Sequence, residues 1–149
     1  MRVCLFAYYN PDSRLAPHTR HLLNQIASCG FTIHIAASGL SDATAQLLRD
    51  DLANPAAPIP AAVHPRPNTG LDFGAWQFLL SKGYADNATE ILFTNDSVFG
   101  PLLPLRPIMN RMREKKFQVW GMVRSEAVVS HLQSWFLCMT HDALHHPAI

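Results

Sequence analysis

Short apolar runs alternate with segments of helical periodicity along most of the chain. Five runs are of this kind: residues 3–9, 31–37, 61–64, 91–94 and 117–122. Runs of this length that end at turn residues, as the first does at Asn10-Pro11-Asp12, predict buried strands. Because helix-length segments separate them, we expect an α/β fold with a mostly parallel, doubly wound sheet and helices on both faces.

The intervening segments carry apolar residues at helical spacing. Four helices are predicted around residues 15–27, 43–52, 71–79 and 104–116. Ser41 is a good N-cap for the second helix, which we expect to bury Ala43, Leu47, Leu48 and Leu52 on one face. The apolar run 132–139 fits either a strand or a helix, and we favour a helix.

Length, charge and cysteine content restrict the class of protein. The 149 residues suit one domain, and the net formal charge of +1 provides no basic field for nucleic acid and no polybasic membrane patch. Cys4, Cys29 and Cys138 are widely spaced in apolar surroundings, which favours buried thiols in a cytoplasmic protein. The apolar start is too short to span a membrane. We therefore expect residues 1–149 to form one cytoplasmic domain.

Polar residues follow the predicted strands at one edge of the sheet. Right-handed crossovers bring the carboxyl ends of parallel strands together, and open α/β sheets bind ligands there. The residues at these ends are Tyr9, Asn10, Ser38, Gly39, Arg66, Asn68, Asn95, Asp96 and Ser97. Their convergence predicts one binding site.

Asp96 is the strongest candidate for a metal ligand. It follows an apolar strand between Asn95 and Ser97, whose oxygens suit a hard divalent cation. Such a cation bridges diphosphate oxygens and neutralises the charge of a leaving group. The alternative is that Asp96 or Asn95 forms a helix N-cap or an Asx-turn.

A second candidate segment lies at a strand-to-helix turn. Gly70 allows the backbone to approach a ligand, Asn68 can hydrogen-bond a base or ribose, and Asp72 stands at a helix start. Arg66 can pair with a phosphate or with a surface carboxylate. The alternative is helix capping, since Asn, Thr and Asp all favour helix N-termini.

A third cluster follows the last predicted strand. Glu126 and His131 are candidate general bases for an acceptor hydroxyl, and Gln133 is a further candidate contact. The alternatives are a solvated loop for Glu126 and a polar network for His131 and Gln133. The histidines near the end of the chain lack the spacing of a metal site. No Walker loop, nucleophile elbow or dinucleotide fingerprint is present, which argues against kinase, hydrolase and dehydrogenase functions.

Four motifs, in this order, resemble the rhamnan synthesis protein F family. They are Arg-Pro-Asn-Thr-Gly-Leu-Asp-Phe-Gly-Ala-Trp at 66–76, Thr-Asn-Asp-Ser-Val-Phe-Gly-Pro-Leu at 94–102, Val-Trp-Gly-Met at 119–122 and His-Leu-Gln-Ser-Trp-Phe-Leu at 131–137. The opening strand with its turn Tyr8-Tyr9-Asn10-Pro11 is similar as well. The resemblance spans most of the chain.

The resemblance implies a GT-A glycosyltransferase, a Rossmann-like nucleotide-sugar-binding domain, acting in O-antigen, capsule or rhamnan assembly. It makes Asn68, Gly70 and Asp72 donor contacts and Asp96 the ligand of a Mn²⁺ or Mg²⁺ ion. Further donor-site candidates are Tyr9, Arg66, Asn95, Ser97 and Gln133. The implied partners are a nucleotide-diphosphate sugar, such as an activated rhamnose or other deoxyhexose, and a polysaccharide or lipid-linked saccharide acceptor. A lipid-linked acceptor implies peripheral contact with the inner membrane.

Two features depart from the GT-A pattern. Asn95-Asp96-Ser97 offers one carboxylate where Asp-x-Asp offers two, and the chain is short for an acceptor-binding region. The alternatives are therefore a truncated enzyme, a domain completed by a partner, or a non-catalytic nucleotide-sugar-binding module of the same pathway.

Overall fold

The computed structural model describes residues 1–12 and 14–147. The strands are β1 (Arg2–Tyr8), β2 (Thr32–Ser38), β3 (Ala61–Arg66), β4 (Glu90–Asn95), β5 (Val119–Gly121), β6 (Arg124–Ser125), β7 (His131–Leu132) and β8 (Phe136–Thr140). The helices are α1 (Pro17–Ser28), α2 (Asp42–Leu52), α3 (Leu71–Ser81), α4 (Leu105–Glu114) and α5 (His141–Leu144).

The central sheet has six strands in the order β3-β2-β1-β4-β8-β5. β1 pairs in parallel with β2 and β4, and β2 pairs in parallel with β3. β8 runs antiparallel to both of its neighbours, β4 and β5. The predicted α/β architecture with a mostly parallel sheet is therefore confirmed, with β8 as its reversed strand.

The sheet is covered on both faces, and β1 shows this most clearly. Its alternate residues Cys4, Phe6 and Tyr8 pack in one core, to which α1, α2 and α4 contribute. The residues between them, Val3, Leu5 and Ala7, pack in a second core with α3 and α5. A strand buried on both faces has no polar face, which explains why the sequence of β1 is apolar without alternation.

The expectation of a helix over 132–139 is wrong. Leu132 ends β7, and residues 136–139 belong to β8, which fills the space between β4 and β5 and hydrogen-bonds to both strands. Cys138 lies between Leu92 on one side and Trp120 on the other. A short apolar run fits a buried strand or a buried helix equally well, so only the pairing partners decide.

The buried face of α2 is also partly different from the prediction. The helix buries Ala45, Leu48 and Leu52, while Leu47 stays 52% exposed and Ala43 lies in solvent. Residues at i, i+3 and i+7 form the narrow stripe that faces β3, and Ala43 and Leu47 lie outside it. The N-cap is confirmed, because the Ser41 hydroxyl accepts a hydrogen bond from the Thr44 N–H at 3.2 Å.

The three cysteines are buried and unpaired, as expected. Cys4 and Cys138 lie in the middle strands of the sheet, and burial raises the pKa of both thiols far above the usual range. Across residues 1–12 and 14–147, no helix combines the length and the apolar character that crossing a membrane requires.

Candidate functional site

A cavity of about 360 Å³ opens at the carboxyl ends of β1 and β4. These neighbouring strands form a topological switch point, because the chain continues from β1 outward to β2 and returns from β3 to β4. Six of the residues that the sequence predicts for the site line this cavity: Tyr9, Ser38, Asn68, Asp72, Asp96 and Ser97. The predicted convergence of the strand ends therefore occurs.

Asp96 stands at the boundary between β1 and β4. Its Oδ2 accepts a hydrogen bond from the backbone N–H of Tyr9 at 3.0 Å. Burial raises the pKa of the Asp96 carboxyl and the nearby Asp72 raises it further, while the Tyr9 N–H and His18 act in the opposite direction. The site therefore holds a carboxylate whose charge is only partly compensated.

The alternative of a local turn applies to Asn95 rather than to Asp96. The Asn95 side-chain oxygen accepts from the N–H of Ser97 at 3.3 Å, which is the pattern of an Asx-turn. The Asn95 amide nitrogen donates to Asp72 Oδ2 at 2.6 Å. One buried side chain thus closes the turn after β4 and fixes a carboxylate on α3.

Asp72 provides the second carboxylate that the Asn95-Asp96-Ser97 motif lacks. It lies in the first turn of α3, where a negative charge is favoured by the helix dipole. Asp72 and Asp96 line the same cavity although 23 residues separate them in the sequence. The site therefore has two carboxylates, contributed by two elements.

The turn before α3 depends on two glycines. Gly70 has φ +70°, a left-handed conformation that favours glycine, and the following Leu71 also has a positive φ of +50°. A Cβ atom on Gly74 would lie 2.3 Å from the carbonyl oxygen of Thr69. The backbone of this turn therefore packs directly against the first turn of the helix, which sets the position of Asp72.

Arg66 is buried and braces the same turn. Its Nη1 donates to the Ser38 hydroxyl at 2.8 Å, and its Nη2 donates to the carbonyl oxygen of Thr69 at 2.6 Å. Neither Arg66 nor Gly70 lines the cavity, although Arg66 contacts Ser38, which does. Their predicted contact with the donor stays a prediction.

The third predicted cluster lies on a separate hairpin formed by β6 and β7. Glu126 pairs with Arg124 at 2.7 Å, and both side chains are about two-thirds exposed. His131 Nδ1 lies 2.7 Å from the carbonyl oxygen of Val129, and the backbone N–H of Gln133 donates to Val123. None of the three predicted residues lines the cavity, and their roles as bases or donor contacts stay predictions.

His18 is a site neighbour that the sequence did not indicate. Its Nε2 lies 3.3 Å from the carbonyl oxygen of Asp96, and its ring stacks on Phe99 with 4.1 Å between centroids. The contact joins the start of α1 to the loop after β4, across 78 residues of sequence. No local sequence pattern predicts this contact. The only indication in the sequence is that His18 follows the first strand-to-helix turn.

The oxygen atoms that line the cavity suit the coordination of a hard divalent cation. Asp72 and Asp96 offer carboxylate oxygens, and Asn68 and Ser97 add neutral oxygens to the lining of the same cavity. Mg²⁺ and similar ions are commonly held by one or two carboxylates together with waters and phosphate oxygens of the substrate. In the part of the chain that the structure describes, no three His, Cys, Asp or Glu side chains converge as a metal cluster.

Comparison with known proteins identifies the family. Residues 32–147 match the family model of rhamnan synthesis protein F. The matched region includes Asn68, Asp72 and Asp96, whereas Tyr9 and His18 precede it. A search among curated proteins gave no match. Because the matched region covers most of the chain, the protein belongs to the rhamnan synthesis protein F family.

Proposed function

We propose that this protein is a glycosyltransferase domain of GT-A type that binds a nucleotide-diphosphate sugar in the cavity between β1 and β4. The observation that carries the proposal is that two carboxylates, those of Asp72 and Asp96, line that cavity. Membership of the rhamnan synthesis protein F family supports a role in polysaccharide assembly. The donor sugar that fits this role is an activated rhamnose or another deoxyhexose, used at the cytoplasmic side of the inner membrane.

Different residues of the cavity would bind different parts of the nucleotide sugar. Asn68 and the exposed ring of Tyr9 offer hydrogen-bonding and stacking groups for a nucleoside. Asp72 and Asp96 would hold a Mn²⁺ or Mg²⁺ ion, which when bound supplies charge neutralisation for the leaving diphosphate. Asn95 and the Tyr9 N–H keep these carboxylates in place without further reorganisation, which is the requirement for electrostatic stabilisation.

Transfer also requires a group that accepts the proton of the attacking hydroxyl. Glu126 and His131 are the candidates from the sequence, and they serve this role only if the hairpin approaches a bound donor. Because neither residue lines the cavity, a second function is also supported, that of a nucleotide-sugar-binding module without turnover. A donor-hydrolysis and transfer assay separates the two functions, because the module binds the donor and leaves it intact.

Calorimetry with UDP-, GDP- and dTDP-sugars, with and without Mn²⁺, tests the proposal. We expect one nucleotide to bind, and we expect Asp96→Asn and Asp72→Asn each to weaken binding by about tenfold or more, as loss of a charge-assisted contact does. Asp50→Asn is the matched control, because Asp50 is an exposed carboxylate on α2, outside the cavity lining. Unchanged affinity in both cavity variants would refute the assignment.

A further inference from the structure

A second pocket, of about 340 Å³, lies at the edge of the sheet opposite to the cavity at Asp96, where β1 and β4 begin. The end of β8, the end of α4 and the strand β5 complete its walls. Its volume is within the range of small-molecule sites. The proposed function leaves this pocket without a role.

Positive charge predominates in this second pocket. Arg2, Arg113 and Lys116 line it, and Glu90 is the one carboxylate among the lining residues that the structure describes. The pocket therefore has an excess of two positive charges, although the net formal charge of the whole chain is only +1. A concentration of like charge in a partly enclosed space attracts ions of the opposite sign.

Glu90 orients both arginines through their Nε atoms. Its Oε2 lies 2.9 Å from Arg113 Nε and 3.3 Å from Arg2 Nε. Cys138 Sγ donates to the other carboxylate oxygen, Oε1, at 3.4 Å. The two guanidinium groups are therefore already positioned in the absence of a ligand, which lowers the entropic cost of binding one.

One nitrogen atom of Arg113 is left without an acceptor. Its Nη1 donates to Asn110 Oδ1 at 3.4 Å, but its Nη2 is buried and has no hydrogen-bond partner among the residues that the structure describes. A buried donor without an acceptor is unfavourable, because it has lost its hydrogen bonds to water. An anion bound in the pocket would supply the missing acceptor.

Lys116 follows the end of α4 in a left-handed conformation. Its φ is +55°, and its N–H donates to the carbonyl oxygen of Arg113 at 3.0 Å. Glycine or asparagine favours this position after a helix, so the backbone alone does not explain a lysine there. The Lys116 side chain is exposed and lines the pocket, which allows its ammonium group to approach a bound anion.

The uncharged part of the lining is largely apolar. It comprises Met112, Phe117, Trp120 and Met139, together with the hydroxyl-bearing Thr89 and Thr140 and the thiol of Cys138. The Phe117 side chain is 50% exposed and can be covered by a ligand. An anion with a small apolar group therefore fits better than a bare inorganic ion, because it buries apolar surface as well as charge.

We propose that this pocket binds a small phosphate monoester with an apolar body. Such an ester carries about −1.5 to −2 charge at neutral pH, which matches the excess positive charge better than a carboxylate does. Its terminal oxygens accept from Arg2, Arg113 and Lys116, and its apolar body packs on the aromatic side chains of the lining. The inference is independent of the proposed function, since the pocket shares no lining residue with the cavity at Asp96.

Calorimetry with phenyl phosphate, in the absence of divalent metal, tests this site on the full chain. We expect phenyl phosphate to bind, and benzoate and inorganic phosphate each to bind at least about fivefold more weakly. Benzoate keeps the ring but has a single charge, whereas inorganic phosphate keeps the charge without the ring. Absence of phenyl phosphate binding at about 10 mM, or equal affinity for either comparison anion, would overturn the proposal.

Two charge variants locate the binding site. Lys116→Asn removes the charge and suits the left-handed backbone, and it should weaken phenyl phosphate binding at least about threefold. Arg113→Lys keeps the charge but loses the forked donors, and it should weaken binding about tenfold or more. Lys115→Asn is the matched control, because Lys115 is an exposed neighbour outside the pocket lining. Unchanged affinity in both pocket variants, or an equal loss in the control, would overturn the proposal.

A variant of the other cavity separates the two sites. Asp72→Asn should leave the affinity for phenyl phosphate unchanged within about twofold, because distant sites act independently. The same variant weakens binding of the nucleotide sugar if the proposed function is correct, so each result is read separately. Loss of phenyl phosphate binding in Asp72→Asn would place the anion in the cavity at Asp96 and contradict the proposal. Thermal unfolding of each variant checks that it is folded.

Discussion

Asp96 lies where its charge is unfavourable for the folded state. Burial and Asp72 raise its pKa, so the folded protein holds the Asp96 proton more tightly than the unfolded chain does. The resulting contribution to stability is present below the unfolded pKa and is lost as the pH rises through the folded pKa. At neutral pH the ionised carboxylate therefore lowers the free energy of unfolding.

We predict that Asp96→Asn stabilises the protein while it weakens donor binding. The amide oxygen of the variant can still accept from the Tyr9 N–H, and the unfavourable charge is removed. The gain should be about 0.5–1 kcal/mol at neutral pH, typical of a relieved functional site. Urea unfolding at neutral pH measures it, and a destabilised variant would contradict the electrostatic description of the site.

At Gly74, helix propensity and packing have opposite effects on the stability of an alanine variant. Alanine is favoured over glycine within a helix by about 1 kcal/mol, but its Cβ at position 74 would lie 2.3 Å from the Thr69 carbonyl oxygen. We expect Gly74→Ala to destabilise the protein by about 2 kcal/mol or more, because the atom it meets belongs to the backbone.

Gly39→Ala is the comparison for this variant. Gly39 has φ +76°, but a Cβ there would meet no atom closer than 3.5 Å. Only the backbone conformation is strained, at a cost of about 1–2 kcal/mol. Denaturant unfolding of both variants should rank Gly74→Ala as the more damaging, and a stabilised Gly74→Ala would show that the turn before α3 is looser than described.

At the scale of elements, the edge formed by β2 and β3 carries a stack of three aromatic side chains. His34 Nδ1 lies 3.0 Å from His64 Nε2, and the Tyr84 hydroxyl lies 3.1 Å from His64 Nδ1. Burial lowers the pKa of both histidines, and that of His64 is lowered further by His34 and by Arg49. Both imidazoles are therefore neutral in the folded protein near pH 7.

We predict that this edge weakens in mild acid. Since the folded pKa values are lowered, the contribution of the pair to stability is complete above the unfolded pKa of about 6.5 and is lost as the pH falls through the folded values. Urea midpoints at about pH 7.5 and about pH 5.5 should differ more in the wild type than in the double variant His34→Gln and His64→Gln. Equal differences would assign the pH dependence to other groups.

The sequence predicts the elements well where strand and helix patterns differ, and poorly where they coincide. The first four strands are short apolar runs followed by turn residues, and this pattern favours a strand over a helix. The run that forms β8 is apolar as well, but its neighbours in the sheet are distant in sequence. A local pattern therefore cannot predict its pairing with β4 and β5.

The same limit applies to the candidate site. Asp96 and the turn at Gly70 carry local signals, and the edge at which they meet follows from the handedness of the crossovers. The hydrogen bond from Asn95 to Asp72 and the contact of His18 with Asp96 join positions far apart in the chain. These contacts depend on tertiary packing, so the sequence predicts that Asp72 lies in the site but not that Asn95 donates a hydrogen bond to it.

At the scale of the whole molecule, ligand binding should couple to global unfolding. The cavity is built from the ends of β1 and β4 and the start of α3, elements that share the two cores. We predict that the donor together with Mn²⁺ stabilises the wild-type protein by about 2.7 kcal/mol at a ligand concentration of about one hundred times Kd. A thermal scan measures the shift, and Asp72→Asn should reduce it while Asp50→Asn should not.

The buried cysteines allow the opening of the central sheet to be measured by thiol labelling. Cys4 and Cys138 both lie opposite Leu92, in one row across β1, β4 and β8. A maleimide reacts with a thiolate, which burial suppresses at these positions, so Cys4 and Cys138 should be labelled only when this row separates. The rate of labelling at these two cysteines, separated from that at Cys29 by peptide mapping, then measures how often the sheet opens. A cysteine introduced by Leu102→Cys, at a position with 96% of its surface in solvent, would react at once and could carry a probe without removal of the native thiols.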